Sequence, residues 1–217
     1  MESTRFSSLS TFPNFYINPR ITGKEIDEIK TEIVRKSIHF LIALSPSMAA
    51  INRPFTVILL MVGTLGYTFM EYLRLYGVNV PVISSLTNMA SRSRDMGRFV
   101  IGPVTLGLGA LLALLLYPSP VAAIAIYALA FGDGFASLVG KVFGRYRPAF
   151  LCGKSVEGSL ACFAAVLISA YMVCGSIRIA LAAAFTAMII EALPLEDYDN
   201  LALPVTVGLV VQFASLS

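Results

Sequence analysis

The chain has 217 residues, 57% of them hydrophobic and only 13% charged, with a formal net charge of +3. Apolar runs this long and frequent exclude one soluble domain and describe an integral membrane protein. Stretches such as "GALLALLLY" and "VAAIAIYALA" do not alternate polar with apolar residues, which excludes a β-barrel; no nucleic-acid partner is expected.

Residues 1–21 carry Ser, Thr, Pro and Asn without a sustained period and read as a loose tail, with no secretory signal in the polar stretch 1–34. The remainder, 22–217, reads as a single membrane-embedded catalytic domain. Thr22 and Glu25 fit a capping box, and Ile26, Ile29 and Ile33 recur at helical spacing among charged residues, so 22–34 is expected to be an amphipathic helix lying at the interface. A helix needs about 20 residues to cross a bilayer. Seven spans are expected, at 37–51, 55–74, 101–117, 121–140, 159–175, 176–193 and 201–216. The fold class is therefore an all-α polytopic bundle.

Seven alternating spans divide the charges unevenly. Arg5, Arg20, Lys24, Lys30, Arg35 and Lys36 precede the first; Arg74, Arg92, Arg94 and Arg98 lie between the second and third; Lys141, Arg145, Arg147 and Lys154 lie between the fourth and fifth. The other side receives Arg53 and Arg178, so the positive-inside rule places the N-terminus in the cytoplasm. The acidic residues gather on the same side. Cys152, Cys162 and Cys174 lack C-x-x-C spacing, and neither a disulfide nor a zinc site is expected.

The first span opens with "RKSIH", which places Arg35 and His39 one turn apart; His39, the only histidine, is either a phosphate ligand or a satisfied interface residue. Asp133 lies in the fourth span, about 10 Å before its cytoplasmic end. A carboxylate at that depth is costly unless paired or metal-bound, so catalysis or metal binding is weighed against a structural ion pair. Asp133, Ser137 and Lys141 form a polar stripe at spacing four, while Gly132, Ala136 and Gly140 form a small-residue stripe for helix packing. The "GKS" at 153–155 fails as a nucleotide-binding P-loop, because the position for its first glycine holds Pro148 and no strand precedes it. Its parts remain useful to an anion: Gly153 and Gly158 permit close backbone approach, Lys154 is a cation, and a helix starts just beyond. Further acids converge on the cytoplasmic side, namely Glu71, Glu157 and the cluster Glu191, Glu196, Asp197 and Asp199. Acids interleaved with basic loops suit magnesium-nucleotide chemistry, although proton-coupled transport uses the same groups.

"RKSIHF", "GPVTLGLGALLAL", "ALAFGDGFASLVGKVFGR", "GKSVEGSLACF" and "EALPLEDYDNLALP", in this order, resemble the dolichol kinase, phytol kinase and CTP-dependent diacylglycerol kinase family, polytopic enzymes that phosphorylate a lipid alcohol. The third and fourth of these segments also resemble phosphatidate cytidylyltransferases, but that family's basic C-terminal signature is absent from "LPLEDYDNLALP". The resemblance implies CTP as donor, a membrane lipid alcohol as acceptor and Mg²⁺ as cofactor. It implies Asp133 as metal ligand or acid-base group, with Glu157 and Asp199 as further candidates. Arg35, Lys36, Lys141 and Lys154 would hold the triphosphate, joined by His39, Ser137 and Ser155, with Gly132, Gly140, Gly153 and Gly158 making room. Glu71, Glu191, Asp197 and Asn200 stand as additional candidates. The competing readings are a CDP-lipid synthase and a small proton-coupled transporter.

Overall fold

The computed structural model describes residues 23–78 and 97–216, with side chains from residue 29 onward and excepting that of residue 150. The tail 1–21, the capping Thr22, the side chain of Glu25, and Arg92 and Arg94 lie outside what is described. Among those described the protein is helical throughout, with no strand. Seven helices form the bundle: α1 (Gly23–Ile42), α2 (Ser45–Leu75), α3 (Gly102–Leu116), α4 (Val121–Val142), α5 (Val156–Cys174), α6 (Ile177–Ala192) and α7 (Asp199–Ala214). Three of them, α2, α4 and α5, are long and apolar enough to cross a membrane.

The first two expected spans divide differently from the sequence reading. Residues 23–42 form one unbroken helix instead of an interfacial helix followed by a span, and the chain turns at Ala43–Leu44, inside the apolar run 37–51. The expected external turn "INRP" is a kink within α2. Asn52 takes non-helical angles (φ −150°, ψ 96°) ahead of Pro54, and its side chain accepts from the Phe55 amide at 3.0 Å, restarting the helix. The guanidinium of Arg53 donates to the Leu114 and Tyr117 carbonyls at the end of α3.

α1 is inverted relative to a helix of a soluble protein. Glu32, Arg35, Lys36 and His39, at spacings of three, four and seven, face the protein, with Glu32 only 1% exposed, while Ile33 on the other side is 50% exposed. A helix arranged this way is stable only if the charges find partners inside and the apolar side meets lipid.

α4 occupies the middle. It packs against α1, α3, α5 and α7, and it is regular except for a π-helical segment, Ala128–Asp133. An i→i+5 segment inserts a residue into the turn and re-aims the side chains that follow; here it ends on Asp133. Small residues bring the neighbours close: Ala125, Ala128, Ala170, Ala180, Ala183, Ala184 and Ala187 are fully buried between α4, α5 and α6. α3 approaches α7 so closely at Gly109 that a β-carbon there would lie 2.0 Å from the Asn200 carbonyl oxygen, which fixes the height at which α7 begins.

Candidate active site

The site grows from α1 and α4. The Asp133 carboxylate, buried where the π segment ends, takes the Lys36 ammonium and the His39 Nε2 (3.0 Å) on one oxygen and the Ser137 hydroxyl (3.4 Å) on the other. His39 is held in turn. Its Nδ1 faces the Arg35 carbonyl at 3.1 Å and its Nε2 lies 3.1 Å from Oδ1 of Asn200, whose Nδ2 donates to the Thr105 hydroxyl at 3.1 Å. Three helices, α1, α3 and α7, thus orient one carboxylate on a fourth.

Around this nucleus lies a cavity of about 420 Å³. Its cations are Arg35, Lys36, Lys141, Arg147 and Lys154; its acids are Glu32, Asp133, Glu191, Glu196 and Asp199. Most are paired across the space. Glu32 receives Lys141 at 3.0 Å, Arg35 at 3.4 Å and Lys36 at 3.9 Å; Arg35 also reaches Asp197 at 3.2 Å; Lys154 lies 3.2 Å from Glu191 and 4.0 Å from Asp199. The cost of burying so many charges is met by pairing of this kind, and it recurs wherever a partner is removed. Burial first, and then the charge of Asp133, push the Asp199 carboxyl up to about 7 against the opposing pull of Lys36 and Lys154.

The Gly-Lys-Ser segment forms one wall. Cys152 and Gly153 adopt left-handed angles (φ 48° and 91°), and Ser155 caps α5 by accepting from the Gly158 amide at 3.1 Å. That turn aims Lys154 across the cavity at α6, where its ammonium also meets the Glu191 carbonyl. On the opposite rim Glu196 holds φ at 55°, a strained value for a residue with a side chain, of a kind that clusters at functional sites.

Of the residues singled out from sequence, Asp133, Arg35, Lys36, Ser137, Gly140, Lys141, Gly153, Lys154, Ser155, Gly158, Glu191, Asp199 and Asn200 line this one cavity, and His39 and Asp197 touch residues that do. Three do not join them. Glu157 points away, because its carboxylate accepts the Arg145 and Tyr146 amides at 3.0 and 3.2 Å and closes the loop between α4 and α5. Gly132 is spent on packing, where a β-carbon would come within 2.9 Å of Val166. Glu71 forms a two-pronged pair with Arg74, both contacts 2.7 Å, and accepts the Val100 amide at 2.9 Å, tying α2 to the entry of α3. Sequence reasoning missed Glu32 as a cavity acid, Arg147 and Thr105. The spacing of Glu32 from Arg35, Lys36 and His39 was the available signal.

Among the described residues no three His, Cys, Asp or Glu side chains converge as a ready cage for a metal ion. Mg²⁺ asks for less, one or two carboxylates with waters and substrate phosphates completing its shell. Asp133 and Asp199 fit that demand, since both line the cavity and the charge of Asp133 bears on Asp199. Glu157 does not fit while its carboxylate is bound to the loop.

No protein-family model and no solved structure matches the chain. An uncharacterized protein of Methanocaldococcus jannaschii is 27% identical over 185 residues, covering 83% of this chain and 92% of that one. A probable chloroplastic phytol kinase of Triticum aestivum is 26% identical over 162 residues (65% of this chain, 54% of that one), and one of Oryza sativa subsp. japonica 26% over 147 residues (59% and 47%). The chain thus spans about half the length of these plant proteins. Distant similarity of this extent supports a lipid-kinase-like family.

Proposed function

We propose that this protein is a multi-pass membrane kinase that transfers the γ-phosphoryl group of CTP to the hydroxyl of a membrane lipid alcohol, at a Mg²⁺-dependent site on the cytoplasmic side. The carrying observation is the cavity itself: five cations and five acids interleaved, one of the acids, Asp133, buried in a helix able to cross a membrane. Such a lining has no net charge to offer a bare anion, but it matches a metal–polyphosphate, in which phosphates replace the acids as partners of Lys and Arg while the freed acids face the metal. Similarity to proteins named as phytol kinases supports a lipid alcohol as acceptor. CTP and the cytoplasmic orientation rest on the sequence motifs and the charge distribution.

Phosphoryl transfer asks the protein chiefly for positioning and charge neutralisation. Lys154, Lys141 and Arg147 reach the cavity from its rim and are placed to take the outer phosphates, while Lys36 and His39 hold Asp133 in one orientation. Bound between Asp133, Asp199 and the phosphates, Mg²⁺ would draw charge from the phosphate oxygens.

The test is product analysis with purified protein in nanodiscs, γ-labelled CTP and a panel of isoprenoid alcohols and diacylglycerol. Label on a lipid with release of CDP supports the proposal. Pyrophosphate with a CDP-lipid would convert the reading to cytidylyl transfer, and no labelled product with any acceptor would overturn it.

A further inference from the structure

A second cavity of about 200 Å³ lies between α5 and α6 and is lined by apolar side chains, among them Val156, Leu160, Met188 and Ile189, with Ser159 as its one polar member. It shares a wall with the polar cavity. Along α5 the residues alternate between the two, with Ser155 and Gly158 on the polar side and Val156, Ser159 and Leu160 on the apolar side. Along α6 Glu191 faces the polar cavity while Met188, Ile189 and Ala192 face the apolar one. The two spaces meet where the buried Ser159 hydroxyl donates to Glu191 at 3.3 Å, and Glu191 is the residue that holds Lys154. Outward, the groove opens on an apolar surface, since Leu160 is 57% and Ile189 58% exposed on helices that carry no charge between Val156 and Ile190 other than Glu157 and Arg178 at the ends. One turn further along, the rings of Phe163 and Phe185 lie 4.9 Å apart and close the gap between the helices.

We infer that this groove is the acceptor subsite: the hydrocarbon chain of the lipid alcohol lies between α5 and α6 against Leu160, Met188 and Ile189, and its hydroxyl enters the polar cavity at Ser159 and Glu191. The inference rests on the kinase reading for its chemistry. An apolar chain ending in one hydroxyl is the occupant whose polarity matches the lining at every point: hydrocarbon where it is apolar, a single donor where Glu191 offers an acceptor. In the transfer, the hydroxyl oxygen forms the new bond to the γ-phosphorus. The bond from that phosphorus to the β,γ-bridging oxygen breaks, its electron pair stays on the departing CDP, and the hydroxyl proton passes to the Glu191 carboxylate. The Phe163–Phe185 pair then holds the chain on the outer, lipid-facing side of the groove.

The experiment uses the full chain in nanodiscs with a diazirine-bearing long-chain primary alcohol, mapping the crosslinks by mass spectrometry and, in parallel, measuring transfer from CTP. Crosslinks concentrated on Leu160, Met188 and Ile189 are expected, as is a rise of about tenfold in KM for long-chain alcohols in Ile189→Trp, with KM for CTP changed less than about twofold. Crosslinks spread evenly over the outer faces of α2 and α5, or an Ile189→Trp enzyme with unaltered KM, would overturn the groove while leaving the kinase reading intact. Crosslinks confined to the groove without transfer to any alcohol would overturn the kinase reading instead. Should Ile189→Trp fail to fold, Met188→Ala, which only enlarges the groove, must shift the preferred chain length; an unchanged preference counts against the proposal.

Discussion

α2 and α4 pass the same test of length and hydropathy, yet 11% of the most apolar stretch of α2 is buried inside the protein against 67% of that of α4. Their polar residues divide the same way. α4 brings Asp133 into contact with Lys36 and His39 of α1 and with its own Ser137, whereas among the described contacts Glu71 of α2 meets its own Arg74 and a backbone amide of the chain leading to α3. The glycines repeat the contrast: a β-carbon at Gly134 would meet the Phe40 ring at 2.6 Å, and one at Gly63 or Gly66 would meet nothing within 4 Å. Hydrophobicity alone therefore does not say which helix carries chemistry. A buried charge with partners from several helices does.

The strongest way to break this contrast is Asp133→Asn. The amide keeps the volume but loses the charge on which Lys36 and His39 converge, and transfer is expected to fall about 10³-fold or more with the protein still folded. Activity within about tenfold of the native protein, with a lowered melting temperature, would reduce Asp133 to a structural ion pair and leave α4 no more functional than α2.

Asp199 offers a test by pH. Its folded-state pKa of about 7 lies above the ordinary 3.8, so the folded protein binds this proton more tightly than the unfolded chain. That contribution is fully present below about pH 4 and is lost as pH rises through about 7. In metal-free buffer Asp199→Asn should therefore gain in unfolding free energy over the native protein between pH 5 and pH 8, by at most about 4 kcal/mol. Because Asp133 is one of the charges that raises it, the pH dependence should weaken in Asp133→Asn. A difference independent of pH would show that the Asp199 carboxyl is not raised, and a pH dependence unchanged in Asp133→Asn that the charge of Asp133 does not reach it.

Most of the polar cavity was legible because its residues sit in short motifs where an intramembrane acid, a Lys after Gly, or an acidic run contradicts its apolar surroundings. Glu32 was not, because on a stretch with apolar and charged sides a polar face is read as facing water; here α1 is turned over, its charges inward and Ile33 outward. Arg147 was read only as one of the basic residues of a loop, since its place in the cavity depends on the turn that Glu157 closes. Glu157 misled for the same reason. It follows Gly-Lys-Ser by one residue and Val156, yet the first turn of α5 points it at amides of the loop. The helix boundary at Ala43 was hidden because apolar residues continue through it, and only the packing of α1 on α4 makes a break there worthwhile, whereas the break at Asn52 was legible from "INRP" as an interruption but not as a kink inside one helix.

The glycine pair measures the same contrast on the smallest scale. Gly134→Ala forces Phe40 to move, and Phe40 follows His39 on α1 and contacts the Phe131 and Phe135 rings; a loss of about 1–3 kcal/mol is expected, with reduced activity as α1 shifts from Asp133. Gly66→Ala on α2 has the opposite sign. The added methyl meets open space, and replacing a helix-interior glycine lowers the entropy lost on folding, so thermal unfolding in nanodiscs should show a gain of about 0.5–1 kcal/mol and unchanged transfer. A loss at Gly66 comparable to that at Gly134 would mean that the outer face of α2 is packed against another protein surface in the membrane, and the division into an outer and an inner helix would fail there first.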